Sequence, residues 1–354
     1  MVDLAVFRPV PNAVHLTLLV PELIWPEPGD DQTLAHCRAP GLAWLAARAQ
    51  VTRQPRQPWE EALFACCARP PLGLATLRRL GEADRPDDVA GDWLCADPVH
   101  LRFHHERIVL ADAGAFAIDA AQAAALVDGL NAQFSDLGRF EAATPRRWYV
   151  RLNAAVGHVA APLSQVAGRR VDSELADKTG PLHRWLNEAQ MVLHTLPTNA
   201  ARQASGEPAV NSLWLWGAGR PVDMPLPFDA VFGDDPLVAG LARHAGREAR
   251  ACPAGLADLP ASASPLVVLD TLLPKVVYED PDGWLQALAA LDADWFTPLR
   301  GRLGRDIKNL DIVAPTVYGL LRWTLGTGAR WQFWRGRRDI ATLAGELARE
   351  GSPA

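Results

Sequence analysis

Pro208-Ala209-Val210-Asn211-Ser212-Leu213-Trp214-Leu215-Trp216-Gly217-Ala218-Gly219-Arg220 is the stretch on which the reading of this chain turns. A short, tryptophan-rich apolar run stops at Gly-Ala-Gly-Arg, the pattern of a buried strand delivering a flexible loop to a sheet edge. Glycine lets backbone approach another group closely, and Arg220 offers a planar charged fork that matches phosphate or carboxylate. Two readings fit. One is a loop that holds an anion; the other is a tight turn after a core strand, with Arg220 in a structural salt bridge. A lone Gly-x-Gly does not choose between them.

Working outward, His15 to Val20 reads as a first strand ended by Pro21, and Gly41 to Ala49 as a helix with Pro40 in its first turn. A second helix is expected from about Trp59 to Cys67, and a charged connector from Gly81 to Gly91. From Trp93 the pattern changes to a hairpin (Leu94 to Leu101, Ile108 to Asp112), a helix from Asp119 to Phe134 with Asp119 as N-cap, and a strand from Trp148 to Leu152. That β-β-α-β unit, about 91–160, reads as an inserted lobe between core segments 1–90 and 161–354. A helix from His183 to Leu196 stops at Pro197, and another runs from Pro236 to Ala245. Pro265 to Asp270 is a continuous apolar strand ending in an acid, as in parallel sheets. A helix from Pro281 to Ala293 and a strand from Leu310 to Val313 continue the alternation, which implies an α/β sheet with helices on both faces.

The chain has 354 residues, 49% of them hydrophobic, and a net charge of −6. Its pI is about 5.9 and its mean hydropathy −0.03. These values describe an ordinary soluble globular chain with no global electrostatic case for nucleic acid. Only three lysines occur (Lys178, Lys275, Lys308), so the positive charge is nearly all arginine. The cysteines, Cys37, Cys66, Cys67, Cys95 and Cys252, are odd in number and contain no CxxC pair, which argues against a zinc ribbon or a secreted disulfide framework. No apolar run reaches the ~18 residues of a membrane span. A cytoplasmic protein without a membrane partner is expected.

Residues Asp97, His100, His104 and His105 cluster around the hairpin. His100 and His104 on one strand would lie about 13 Å apart, too far to share a metal ion. His183 and His194 are about three helical turns apart, again too distant. No GxSxG elbow anchors a Ser-His-Asp set. Trp331-Gln332-Phe333-Trp334-Arg335-Gly336-Arg337-Arg338 reads either as a late strand with a charged turn or as an aromatic–arginine surface for an acidic partner or for bases.

The order of motifs resembles the archaeal-type, cofactor-independent phosphoglycerate mutases of the alkaline-phosphatase superfamily. Ala39 to Ala46 matches their "TPNLDxLA" helix, and Arg107 to Asn131 their inserted lobe. Pro197 to Arg202 with Gly206 to Gly219 matches "HPVNxxR…GxxPANxIWLWGxG". More narrowly, the chain resembles the proteobacterial RpfE-type regulatory proteins. The resemblance implies an alkaline-phosphatase-like α/β core with an inserted β-β-α-β lobe. It also implies an old substrate cleft in which Asn199, Arg202, Asn211, Gly217, Gly219 and Arg220 could hold a phosphorylated or carboxylate small molecule.

The mutase chemistry needs two divalent metals on Asp and His and a Ser or Thr nucleophile. At the matching positions this chain has Pro21-Glu22, Glu60, Thr271 to Lys275, and Ala314-Pro315-Thr316, with no histidine after His244. The resemblance therefore implies no catalytic residues, no metal and no cofactor. What it implies instead is a regulatory or binding protein with a protein partner, offered on surfaces such as Trp148, Tyr149, Trp331, Trp334 and Arg335. A mutase-like phosphoryl-transfer enzyme with an unrecognised metal site is the alternative.

Overall fold

A computed structural model describes residues 14–27, 31–70, 72–82, 90–104, 107–156, 160–171, 181–223 and 225–351. Among these residues the strands are, in chain order, β1 (Val14–Leu19), β2 (Gln50–Gln54), β3 (Asp92–His104), β4 (Arg107–Asp112), β5 (Gly138–Thr144), β6 (Arg147–Leu152), β7 (Ser212–Trp216), β8 (Ala230–Phe232), β9 (Ala249–Arg250), β10 (Pro265–Val268), β11 (Ile307–Thr316) and β12 (Gly319–Gly326). The chain forms two compact units. The first comprises Met1–Ala68, Pro225–Asp234 and Arg247–Ala354; the second, Arg69–Met224 and Asp235–Gly246.

The first unit is built on a seven-stranded sheet ordered β2-β12-β11-β1-β10-β8-β9. β1 runs parallel to both β10 and β11, β8 to β10, and β9 to β8, whereas β12 and β2 close one edge by antiparallel pairing. β1 is a near-continuous apolar run because a central parallel strand is covered on both faces. Leu16, Leu18 and Leu19 are fully buried, and Leu16 and Leu18 share one cluster with Val267, Leu310, Ile312, Trp284, Trp295 and Trp323 among others. The expected strands near residues 15–20, 265–270 and 310–313 all belong to this sheet, giving the mixed α/β class.

The helix Pro40–Ala46 lacks a capping side chain of its own at Ala39. Asp292 supplies it from 250 residues away, accepting the backbone N–H of Leu42 at 2.7 Å and of Gly41 at 3.1 Å. A Cβ at Gly41 would lie 2.4 Å from the backbone nitrogen of Thr297, so only glycine admits this approach.

The second unit carries the sheet β4-β3-β6-β5, with β7 paired to the middle of β3. Its helix Ala120–Gln133 starts at Asp119, which forms a reciprocal capping box with Gln122 as the sequence predicts. That helix and the helix Pro181–Thr195 bury Leu126, Leu130, Ala189 and Trp185 against Leu94, Phe140, Trp148 and Val150 of the sheet. Trp185 stacks on Phe140 at 5.4 Å and meets Phe134 edge-on at 5.3 Å.

The boundaries depart from an insertion confined to 91–160. The reason is β7: Ser212–Trp216 joins β3 in antiparallel register and does not extend the parallel sheet. It takes the preceding helices with it. The helix Leu74–Gly81 also belongs to this unit, packed against the helix Pro236–His244 through two glycines. A Cβ on Gly240 would fall 1.6 Å from the carbonyl oxygen of Leu77, and one on Gly81 1.7 Å from that of Pro236. Backbone thus touches backbone at this crossing.

Candidate functional site

In the first unit the parallel strands deliver their carboxyl ends to a set of acidic and hydroxyl side chains. β1 runs out through Val20 and Pro21 to Glu22, which is buried and held at φ 56°, in the left-handed region that a non-glycine residue enters only under constraint. The constraint is visible. The Glu22 N–H donates to the Pro315 carbonyl at 2.9 Å, and the Trp284 indole donates to the Glu22 carbonyl at 3.0 Å. Nearby, the Tyr318 hydroxyl donates to the Trp25 carbonyl at 3.0 Å. Burial, then the charges of Glu22 and Glu27, push its pKa up to about 12. Beyond β8 and β10, the Cys252 N–H donates to Asp234 at 3.0 Å. Burial, then Asp234 and Asp270, push the Cys252 thiol up to about 12.

The remaining positions implied by the resemblance carry other roles. The Thr316 hydroxyl donates to the Gly319 carbonyl and accepts from the Tyr318 N–H, closing the turn between β11 and β12. Glu60 lies buried in the first turn of the helix Trp59–Cys66. Among the described residues no three His, Cys, Asp or Glu side chains are grouped to hold a metal ion. A two-metal centre wants several carboxylates and imidazoles converging on each ion. The donor set at these strand ends does not fit one.

The residues expected to line an anion cleft all fall in the second unit, and most have their polar atoms engaged within the chain. Asn199 donates to the carbonyls of Leu193 (2.7 Å) and Val210 (2.9 Å) and accepts from the Val210 N–H (2.9 Å). Arg202, wholly buried, donates to Pro208, Gln122 and Ala117 at 2.5–2.9 Å and pairs with Glu207 at 3.1 Å. Asn211 bonds both backbone groups of Leu101, standing in for a strand partner.

Gly217 and Gly219 have φ of 79° and 101°, which explains the two glycines. Their loop turns its carbonyls inward. Gly217 accepts the Ala75 N–H at 2.9 Å and Ala218 the Gly73 N–H at 3.3 Å. These carbonyls fill the amino end of the helix Leu74–Gly81, where an anion would otherwise find donors. Arg220 is exposed and pairs with Asp92 at 3.1 Å, which agrees with the tight-turn reading of the stretch.

Asp97, considered above with the hairpin histidines, is instead the centre of a buried network. Arg78 grips it bidentately at 2.7 and 3.0 Å, Trp216 Nε1 donates at 2.8 Å, and the Trp148 N–H at 3.3 Å. Burial opposes the Arg78 charge, but Asp97 more than offsets it and raises its pKa well above the ordinary arginine value. Glu82 extends the cluster, accepting from Arg147 at 2.6 and 2.8 Å and from the Tyr149 hydroxyl at 2.8 Å. Sequence reasoning missed this network, although an acid centred in an apolar strand signals an obligatory partner.

His100 bonds the Ala209 carbonyl at 2.9 Å. His105 and the side chains of His104 and His183 lie outside the described residues. Trp148 and Tyr149, named above as contact candidates, are fully buried core, whereas Trp331 and Trp334 are exposed.

No protein-family profile and no curated protein matches the chain. Among solved structures, it is similar to the PH0037 protein from Pyrococcus horikoshii at 14% identity over 98% of this chain and 99% of that one, with a TM-score of 0.55. A cofactor-independent phosphoglycerate mutase from Thermoplasma acidophilum also matches, at 16% identity over 95% of this chain and 98% of that one, with a TM-score of 0.43. The likeness to PH0037 concerns the fold, which spans nearly the whole of both chains.

Proposed function

We propose that this protein is a non-catalytic regulatory or binding protein on a phosphoglycerate-mutase-like scaffold, of the RpfE type and cytoplasmic. The observation that carries the reading is the set of side chains at the carboxyl ends of the parallel strands. Glu22, Asp234, Asp270, Thr316 and Cys252 stand at these ends, with Glu60 where the resemblance calls for the nucleophile. Phosphorylating a glutamate would make a mixed anhydride, far higher in energy than the serine ester the exchange needs, and the carboxylate's charge repels an incoming phosphate. Loss of one such group ordinarily costs orders of magnitude in rate.

Elemental analysis of the purified protein, followed by assay of 2- and 3-phosphoglycerate interconversion with and without added Mn²⁺ or Zn²⁺, tests this. Stoichiometric metal together with chelator-sensitive turnover would establish the phosphoryl-transfer alternative. The anion-binding expectation rests on Arg220, the exposed charged side chain of its set. Titration with phosphoglycerate monitored by melting temperature, in the parent and in Arg220→Ala, checks it.

A further inference from the structure

The segment after β12 is neither the late strand nor the covered turn that its sequence allows. It continues from a short 3₁₀ turn, Thr327–Trp331, as a loop whose aromatic side chains stand in solvent. Trp331 is 65% exposed, Phe333 83% and Trp334 70%. Seven large hydrophobic side chains are exposed among the described residues, and three of them fall within these four positions. Soluble surfaces tolerate scattered apolar side chains but seldom concentrate them, so such a patch marks a contact.

The loop is held from behind. Arg48 donates to the carbonyls of Gly336 at 3.0 Å and Arg335 at 2.6 Å, and the Arg338 N–H donates to the Ala43 carbonyl at 3.1 Å. Its aromatic side is therefore presented on a fixed base.

The charge along it is predominantly positive. Arg330, Arg335, Arg337 and Arg338 fall within nine residues, and the first acid to follow is Asp339. Arg338 is matched by Glu346, but Arg330, Arg335 and Arg337 form no ion pair among the described residues. Gly304 packs against the Arg330 side chain, which brings exposed Arg305 to the same region. On a chain of net charge −6 this is a local reversal, and an anionic surface is its electrostatic complement.

We propose that the loop at residues 331–338 docks this protein on an anionic lipid surface, its aromatic side chains entering the headgroup region and its arginines meeting the phosphates. Protein anchoring at a bilayer surface takes two weak signals together, an apolar insertion and a polybasic patch, and both occur in this one segment. The aromatic geometry favours lipid over single-stranded nucleic acid. Bases need open ring faces, whereas Arg330 covers Trp331 at 4.8 Å and Phe333 meets Trp334 edge-on at 5.2 Å. What the loop offers outward is amphipathic ring bodies, the side chains enriched at membrane interfaces. The expectation of no membrane partner came from the lack of a spanning segment. No helix among the described residues is long and apolar enough to cross a membrane, and surface docking needs none. The proposal stands independently of whether the strand-end site is catalytic.

Flotation of the full-length protein with vesicles tests it, using phosphatidylcholine alone and an equal mixture with phosphatidylglycerol, at low and physiological salt. Binding is expected to the mixed vesicles only, and to weaken with salt. Each reversed arginine should weaken it roughly fivefold, so Arg335→Glu/Arg337→Glu loses more than tenfold. Trp331→Ala/Trp334→Ala should lose it comparably, with both variants keeping close to the parent melting temperature because all four side chains are exposed and the one hydrogen bond given up, Arg335 Nη1 to the Ala47 carbonyl at 3.3 Å, lies at the surface. Failure to float with the mixed vesicles at low salt overturns the proposal. So does flotation that neither variant changes. Binding of an oligodeoxythymidine in place of vesicles, abolished by the same substitutions, would overturn it in favour of nucleic acid.

Discussion

Replacing Asp97 with alanine would leave the Arg78 guanidinium charged, buried and without its counter-ion, and would strip the Trp216 indole and the Trp148 N–H of their acceptor. Removing one partner of a buried ion pair ordinarily costs about 3–5 kcal/mol, and two further orphaned donors place Asp97→Ala toward the upper end. At roughly 2–4 °C per kcal/mol for a unit of this size, the melting temperature should fall by about 6–20 °C. Removing both charges should cost much less. Asp97→Leu/Arg78→Met replaces the pair by apolar volume, and swaps of that kind are often neutral or stabilising. The double variant should therefore recover at least about 2 kcal/mol relative to the sum of its single changes, a coupling well above the ~0.5 kcal/mol that independent sites show. Urea unfolding, followed by circular dichroism and tryptophan emission, measures all the variants needed. An Asp97→Ala cost below about 1 kcal/mol, or additive single and double changes, would falsify the view that this pair organises the second unit.

Further outcomes follow from the same kind of geometry. Gly240→Ala drives a Cβ into the Leu77 carbonyl and should destabilise by about 3 kcal/mol or more. Gly301→Ala, in the helix Thr297–Arg302 with nothing within 4 Å of its new Cβ, should be neutral or gain up to ~1 kcal/mol; the two denaturation midpoints compared side by side check the contrast. Burial works against the Glu82 charge, but hydrogen bonds from Arg147 and Tyr149 prevail and hold its pKa below the ordinary 4.5. A depressed carboxylate stabilises the fold above its unfolded pKa and loses that contribution as pH falls through the folded one. Glu82→Gln should thus flatten the loss of stability that sets in as pH falls below the ordinary 4.5, and an unchanged acid limb would refute the assignment. Arg202→Met should cost about 3 kcal/mol or more through its orphaned acceptors, read as a lowered urea midpoint.

The parallel core was legible because its strands are continuous apolar runs separated by helical spacing, as at Leu16 to Val20 and Leu266 to Leu269. Asp119 announced its helix through local capping chemistry. β2 was not read, since a short, largely exposed strand such as Gln50–Gln54 carries little periodicity; β5, β8, β9 and β12 were missed as well, although β12 is buried along most of its length. The misplaced β7 has a different cause. An apolar strand states that it is buried, not which sheet it joins, and antiparallel pairing with β3 is fixed more than a hundred residues away. For the candidate site, residue types at Asn199, Arg202 and Asn211 were visible, but apart from Gln122 and Glu207 on Arg202 their partners are backbone carbonyls and amides that leave no trace in side-chain identity. The same holds for Asp97, whose partner Arg78 lies in a helix that the sequence pattern did not disclose.

The helix Pro236–His244 lies downstream of a stretch, Pro225–Asp234, that belongs to the first unit, while its glycine-to-backbone contact is with the helix Leu74–Gly81. On the ribosome this ordering has a temporal meaning. When residue 224 emerges, every strand of the smaller sheet has been made, yet the glycine face at Gly81 has no counterpart. A growing chain must wait with that face bare until Gly240 is synthesised. Contacts of such long sequence separation form slowly, and a nascent chain holding one open is exposed to misassembly with its neighbours. A fragment ending at residue 224 would carry the same defect permanently, whereas one reaching residue 246 would carry the piece that closes it.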